Sequence, residues 1–191
     1  MGRPATFIRL SGCRKPYCPW CDTPQAWERG ETIDIKPLLE QVAGFKNTFI
    51  VITGGEPFLQ WETGLDQLEQ SLIELGYTIQ YETSGKTVIP ATVKGHVVCS
   101  PKFIGGGWRL DPESLSRVDD FKFVVSENFQ VIEEFIRKAE IPAKNVWIMP
   151  LGATRAEQTQ RMPDTWKFCA DHQYNFSPRL QILAFDNKRG V

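Results

Sequence analysis

Short apolar runs rich in β-branched residues alternate with stretches of helical period along the whole chain, and this alternation limits the fold more than any other feature of the sequence. Residues 5–10 are β-like. Residues 35–45 place Leu38, Leu39, Val42 and Phe45 at helical spacing, and 48–53, Thr-Phe-Ile-Val-Ile-Thr, form the continuous apolar run of a strand buried on both faces. Residues 65–75 put Leu65, Leu68, Leu72 and Leu75 on one helical face, with Gly76 as the expected stop. Strands are expected at 77–83, 96–100, 121–125, 146–151 and 180–185. Helices are expected at 129–139 and 154–172, the second broken or restarted at Pro163. Strands separated by helices imply βαβ units, right-handed crossovers and a parallel sheet. About six or seven strands are too few to close an eight-stranded barrel. The expected fold class is α/β, as a partial, open-sided parallel β/α barrel or a doubly wound sheet, in a single domain over residues 1–191.

Both architectures bind ligands at the C-terminal ends of the strands. The polar and glycine-rich words stand there: Thr53-Gly54-Gly55-Glu56, Glu82-Thr83-Ser84-Gly85, Ser100-Pro101-Lys102 and Pro150-Leu151-Gly152. Lys plus Arg is 22 against 23 Asp plus Glu, a formal charge of -1, so no basic excess marks direct nucleic-acid binding and no polybasic run marks a membrane surface. No apolar stretch approaches the ~20 residues of a membrane span. The apolar run in Met1–Arg9 is too short for a secretory signal, so a cytoplasmic protein is expected.

Of five cysteines, Cys13, Cys18 and Cys21 crowd one loop with Pro16, Pro19 and Pro24, which exclude regular structure there. In a cytoplasmic chain such clustering points to metal or redox chemistry before disulfides. Soft thiolates select zinc, copper(I) or an iron–sulfur cluster. A structural zinc needs a fourth ligand, and the candidates Cys99, Cys169, His96 and His172 stand at no metal-site spacing. The other reading is a 4Fe-4S cluster held at three corners, with an open iron that binds a small molecule through its nitrogen and oxygen. Spacing leaves both readings open. Cys99 and Cys169 read as core packing, His96 and His172 as ordinary polar residues, and Gly105-Gly106-Gly107 as a flexible loop without the Lys-Ser/Thr of a phosphate-binding loop.

The cysteine loop, with Trp20 just before Cys21, and the Gly54-Gly55-Glu56-Pro57 word one βα unit later resemble the two motifs of the radical S-adenosylmethionine superfamily. Finer words are Phe7-Ile8-Arg9-Leu10-Ser11-Gly12-Cys13, Cys21-Asp22-Thr23, Thr53-Gly54-Gly55-Glu56-Pro57, Glu82-Thr83-Ser84-Gly85 and Ser100-Pro101-Lys102. In that order they resemble the 7-carboxy-7-deazaguanine synthase family, from about Pro4 to about Leu151. The resemblance implies ring contraction of 6-carboxy-5,6,7,8-tetrahydropterin to 7-carboxy-7-deazaguanine with loss of ammonia, in 7-deazapurine and queuosine biosynthesis. It implies a 4Fe-4S cluster, S-adenosyl-L-methionine and Mg²⁺, a small-molecule pterin substrate, an external flavodoxin-like reductant and a homodimer.

Residue by residue, the resemblance gives the cluster to Cys13, Cys18 and Cys21, and Mg²⁺ to Thr23. S-adenosyl-L-methionine goes to Trp20, Cys21, Asp22, Gly54, Gly55, Glu56, Ser100, Pro101 and Lys102, with Glu56 as the carboxylate for an ammonium group. Substrate goes to Arg9, Thr53, Glu82 and the terminal Val191; a guanidinium fork suits the pterin carboxylate. Two departures stand out. The first cysteine gap, Arg14 to Tyr17, holds four residues where the family usually has three, so the loop is expected to bulge at Pro16. Family members usually begin with a further strand and a substrate-touching Gln-Gly-Glu word; the sequence here begins at Gly2-Arg3-Pro4-Ala5, just after that segment, with an expected loss of pterin contacts. The rivals are another radical S-adenosylmethionine activity, such as a glycyl-radical activating enzyme, and a non-enzymatic zinc-stabilised binding module. Cys21-Asp22-Thr23 and Ser100-Pro101-Lys102 stand against the first.

Overall fold

In the computed structural model, which describes residues 2–28 and 30–188, the chain divides into a unit of Arg3–Asp119 and a second that begins at Asp120. The first unit runs β1 (Thr6–Leu10), α1 (Ile35–Ala43), β2 (Phe49–Gly54), α2 (Leu65–Glu74), β3 (Thr78–Thr83) and β4 (His96–Cys99). These strands pair in parallel in that order, with Arg9 opposite Thr53, Ile52 opposite Tyr81 and Glu82 opposite Val98. Side chains alternate across a strand. Ile8, Ile50, Ile52, Ile79, Tyr81 and Val97 therefore share one face, which packs on Val42 of α1 and on Leu65, Leu68 and Leu72 of α2. Each such side chain, fully buried, contributes roughly 1.5–3 kcal/mol. That is enough to fix the register, because a one-residue slip would turn the whole row outward. The opposite face carries Arg9, Thr53 and Glu82, and the pairing lines them up as neighbours on three adjacent strands.

A hairpin closes the first unit: β5 (Lys102–Ile104) pairs antiparallel with β6 (Gly107–Arg109). Gly105 and Gly106 have φ of 62° and 75°. Positive φ at both central residues is what a two-residue hairpin turn requires. The triple glycine is thus a defined turn rather than a flexible loop.

The second unit runs β7 (Asp120–Val125), α3 (Phe129–Lys138), β8 (Val146–Pro150), α4 (Arg155–His172), β9 (Asn175–Phe176) and α5 (Leu180–Phe185). β7, β8 and β9 are parallel, with Phe121 opposite Val146 and Trp147 opposite Asn175. The α/β expectation of about six or seven strands is met, with four parallel strands in the first unit and three in the second among the described residues.

Two element expectations are corrected. The run 180–185 is the helix α5, not a strand: the N–H groups of Ile182 and Leu183 both close on the Arg179 carbonyl. The six-residue run Leu180-Gln181-Ile182-Leu183-Ala184-Phe185 is too short to show a period, so the sequence cannot separate the two states. Only Ile182 turns fully inward, while Leu180 and Phe185 stay about half exposed at 46% and 50%. α4 runs unbroken through Pro163. Thr154 and Glu157 form a reciprocal capping box at its start. Gln158, Thr165 and Cys169, buried on one stripe, hold both halves down. No helix among the described residues is long and apolar enough to cross a membrane.

Candidate functional site

β1 ends with Leu10 beside Gly54, and the cysteine loop leaves across the end of β2. Its backbone is stitched on two sides. Gly55 donates to the Leu10 carbonyl at 2.9 Å and Glu56 to the Gly12 carbonyl at 2.6 Å. Gly12 in turn donates to Ala26 and Glu28 at 2.9 and 3.1 Å, and Cys13 donates to Trp27 at 3.0 Å. A Cβ on Gly54 would lie 2.0 Å from the Leu10 oxygen, and one on Gly55 1.8 Å from the Gly12 oxygen. The glycine pair is needed because two stretches of the chain's own backbone cross here.

Cys13, Cys18 and Cys21 are free and half-buried. Thr23 donates its N–H to the Cys21 sulfur at 3.4 Å, and Cys21 its N–H to the Cys18 carbonyl at 3.1 Å. Tyr17 stacks on Trp27, ring centres 4.5 Å apart. Burial pushes the Cys13 thiol up; the Lys86 charge opposes this, while Glu56, Cys18 and Cys21 add to it. The three thiols therefore share one electrostatic neighbourhood. Among the described residues no three His, Cys, Asp or Glu side chains close on one metal position. The fourth zinc ligands considered are engaged elsewhere. Cys99 is fully buried in the core, its thiol pushed far up by burial. Cys169 is buried in the second unit and pushed up to about 11 by burial. His96 faces Asp119 at 3.6 Å, and His172 bonds the Phe168 carbonyl at 3.0 Å.

Glu56 is wholly buried, and its carboxylate is committed on both oxygens. One accepts from the Thr83 hydroxyl at 2.5 Å; the other accepts from the Ser84 N–H at 3.0 Å and the Ser84 hydroxyl at 2.5 Å. Burial pushes the carboxyl up and these bonds oppose it. A buried carboxylate persists only with such a donor set. Glu56 thus staples the end of β2 to the end of β3. Its expected role toward a ligand's ammonium meets a carboxylate already taken up by the fold.

Thr23 starts a 3-10 turn at Pro24–Ala26 but makes no side-chain cap; its hydroxyl donates to the Asp22 carboxylate at 2.8 Å. That places two hard oxygen groups on the exposed side of the loop, beside Trp20, which is 37% exposed. Arg9 is exposed, and Thr53 and Glu82 are half-buried. The Gln80 amide donates to the Glu82 carboxylate at 2.9 Å. Ser100 and Pro101 are buried, and Lys102 donates to the Ser100 hydroxyl at 2.7 Å, so this word is not a solvated turn. Val191 lies outside the described residues. Sequence reasoning missed the roles of Thr83 and Ser84, and it missed Gln80 and Lys86 altogether. The only signal available for Gln80 was its place two residues before Glu82 on one strand face. The ammonium of Lys86 donates to the Arg14 carbonyl at 2.6 Å and the Pro16 carbonyl at 3.0 Å.

In the second unit the Pro150-Leu151-Gly152 word is closed by side chains. Gln158 donates to the Pro150 and Gly152 carbonyls at 2.7 and 3.2 Å. Arg161 donates to Leu151 at 3.3 Å and Arg179 to Gly152 at 3.0 Å.

No family model matches the chain. It is 34% identical over 205 residues to the 7-carboxy-7-deazaguanine synthase of Hyperthermus butylicus, over 96% of this chain and 85% of that protein. It is 33% identical over 207 residues to that of Pyrobaculum aerophilum, over 100% of this chain and 90% of that protein. Among solved structures it is similar to the crystal structure of QueE from Escherichia coli, with a TM-score of 0.75 and 25% identity over 93% of this chain and 86% of that one.

Proposed function

Because this chain belongs to the 7-carboxy-7-deazaguanine synthase family, we propose that it contracts the ring of 6-carboxy-5,6,7,8-tetrahydropterin to give 7-carboxy-7-deazaguanine and ammonia. It does so as a radical S-adenosylmethionine lyase that feeds 7-deazapurine and queuosine biosynthesis. One observation carries this reading: a loop with three free thiols is seated on the Gly54–Gly55 crossing, at the same strand ends as the Arg9, Thr53 and Glu82 row.

The residues fit the groups this chemistry requires. Cys13, Cys18 and Cys21 offer three soft sulfurs for a 4Fe-4S cluster. The Thr23 hydroxyl, with Asp22 beside it, offers hard oxygen to Mg²⁺. The Trp20–Asp22 backbone, Gly54 and Gly55, and Ser100, Pro101 and Lys102 offer the approach for S-adenosyl-L-methionine. When bound, cluster and S-adenosyl-L-methionine together supply a carbon radical able to take a substrate hydrogen.

The chain's part is to bind and orient. The Arg9 guanidinium takes the pterin carboxylate through paired N–H donors. Glu82, held by the Gln80 amide, accepts from the pterin's amino edge, and the Thr53 hydroxyl reads the group beside it. Glu56 works below this layer: by clamping Thr83 and Ser84 it keeps two strand ends in a fixed relation, so that the row stays aligned. The protein acts in the cytoplasm on a small molecule, as a single functional domain, a homodimer and the acceptor of electrons from a flavodoxin-like protein.

The test is anaerobic incubation of reconstituted, reduced protein with the carboxy-tetrahydropterin and S-adenosyl-L-methionine, with product read by mass spectrometry. The deazaguanine is expected. Iron-loaded protein that cleaves S-adenosyl-L-methionine but makes no deazaguanine rejects the substrate and points to another radical activity. A colourless protein with one zinc and no sulfide rejects the chemistry itself.

A further inference from the structure

Four residues, Arg14 to Tyr17, separate Cys13 from Cys18, and they form neither helix nor strand. Backbone carbonyls in such an irregular segment each need a donor. One side chain supplies two. The Lys86 ammonium donates to the Arg14 carbonyl at 2.6 Å and to the Pro16 carbonyl at 3.0 Å, on either side of the exposed Lys15. The Arg14 guanidinium returns a bond to the Lys86 carbonyl at 3.1 Å and closes the ring. A compact ammonium with three donors suits two converging carbonyls better than a planar fork does.

Lys86 is itself tied to the strand ends. Its N–H reaches the Ser84 hydroxyl at 3.4 Å, that hydroxyl donates to Glu56 at 2.5 Å, and the Glu56 N–H donates to the Gly12 carbonyl at 2.6 Å. The carbonyl before Cys13 and the carbonyl after it thus hang from one network, and Cys13 is bracketed between them.

We propose that Lys86 is the positioning residue of the four-residue gap, holding the Arg14–Tyr17 segment by its Arg14 and Pro16 carbonyls so that Cys13 stands with Cys18 and Cys21 as a ligand of the cluster. This rests on the cluster reading given above. In this role Lys86 acts through the loop backbone, by way of the Arg14 and Pro16 carbonyls.

The test compares wild type with Lys86→Met, which keeps the stem and loses the donors, and Lys86→Arg, which keeps charge and donors. In metal-free protein, Lys86→Met is expected to speed hydrogen exchange of the loop amides about ten-fold, the loss of a charge-assisted hydrogen bond. In anaerobically reconstituted protein it is expected to speed chelator removal of iron by a similar, roughly ten-fold, factor and to change the electron paramagnetic resonance spectrum of the reduced cluster. Lys86→Arg should recover most of both. Should Lys86→Met fail to fold, Arg14→Gln removes the return bond from an exposed side chain and should move both readouts the same way by less. Unchanged exchange and unchanged iron retention overturn the proposal and leave the cluster reading standing, and a change in only one of the two overturns it as well. Wild-type protein that takes up no iron overturns both, and does so before any variant is made.

Discussion

At the end of β2, two glycines, two backbone N–H groups and a buried carboxylate hold a loop whose Cys13 and Cys18 sulfurs make no hydrogen bond among the described residues. At the end of β8, Gln158, Arg161 and Arg179 are spent on the carbonyl groups of Pro150, Leu151 and Gly152. Both places looked alike in the sequence, as a strand running into proline and glycine. They differ in what is left over once the backbone is satisfied. In the first unit the polar groups brace each other and leave the half-buried Cys13 and Cys18 sulfurs unbonded; in the second they seal the strand end. A strand end becomes a place for chemistry when its hydrogen bonds are completed without using up the reactive groups.

Replacing sulfur in each unit tests this contrast most severely. Cys13→Ala, Cys18→Ala or Cys21→Ala should each abolish product formation and lower iron to a small residue, measured by metal analysis and product assay. Cys169→Ala in the second unit should leave iron per folded chain unchanged. Iron retained at wild-type level by any of the first three breaks the comparison. Gly55→Ala comes next: a Cβ 1.8 Å from the Gly12 oxygen forces the loop off the strand, at a cost of roughly 3–5 kcal/mol in urea unfolding. Gln158→Leu, which strips donors from two carbonyls beside a fully buried side chain, should cost roughly 2–4 kcal/mol while sparing the KM for the pterin.

The smallest effect is a pair of opposite slopes with pH. Burial holds the Glu56 carboxyl above its ordinary value, so the folded chain holds that proton more tightly than the unfolded one. The stability this brings is full below the unfolded carboxylate value and is lost as pH rises through the folded one. Backbone N–H bonds from Ala153 and Thr154 hold Glu157 below its ordinary value, so its contribution is present above the unfolded value and is lost as pH falls through the folded one. Thermal midpoints of metal-free protein from about pH 2.5 to about pH 7 should lose the first slope in Glu56→Gln and the second, at the acid end, in Glu157→Gln. Slopes of the same sign in the two variants would refute the assignment.

The alternation of strands and helices was readable because a run such as 48–53 buries on both sides and announces itself in composition. The helix at 180–185 was not, because six residues are too few to carry a period, and the two-residue β9 gives no pattern to read. The hairpin at 102–109 was hidden by its own turn, since two adjacent glycines read equally as slack or as a tight reversal. At the site, the cysteine loop and the Gly54-Gly55 pair were legible as residue types. The reason for the glycines was not, because the sequence does not say that Leu10 and Gly12 lie over them. Glu56 finds its partners at Thr83 and Ser84, and Lys86 reaches Arg14 and Pro16; such pairings are set by the parallel crossover and by no local signal.

The segment between Cys13 and Cys18 has a practical corollary. Held at Cys13 by the Trp27 carbonyl and near Cys18 by the Tyr17 ring lying on Trp27, it faces solvent in between at Lys15. Lys15 stands exposed between two carbonyls that Lys86 holds, so the segment is expected to tolerate change at Lys15 before it tolerates change at Arg14 or Pro16. A search template that insists on three residues between the first two cysteines would pass over this chain, which holds four there.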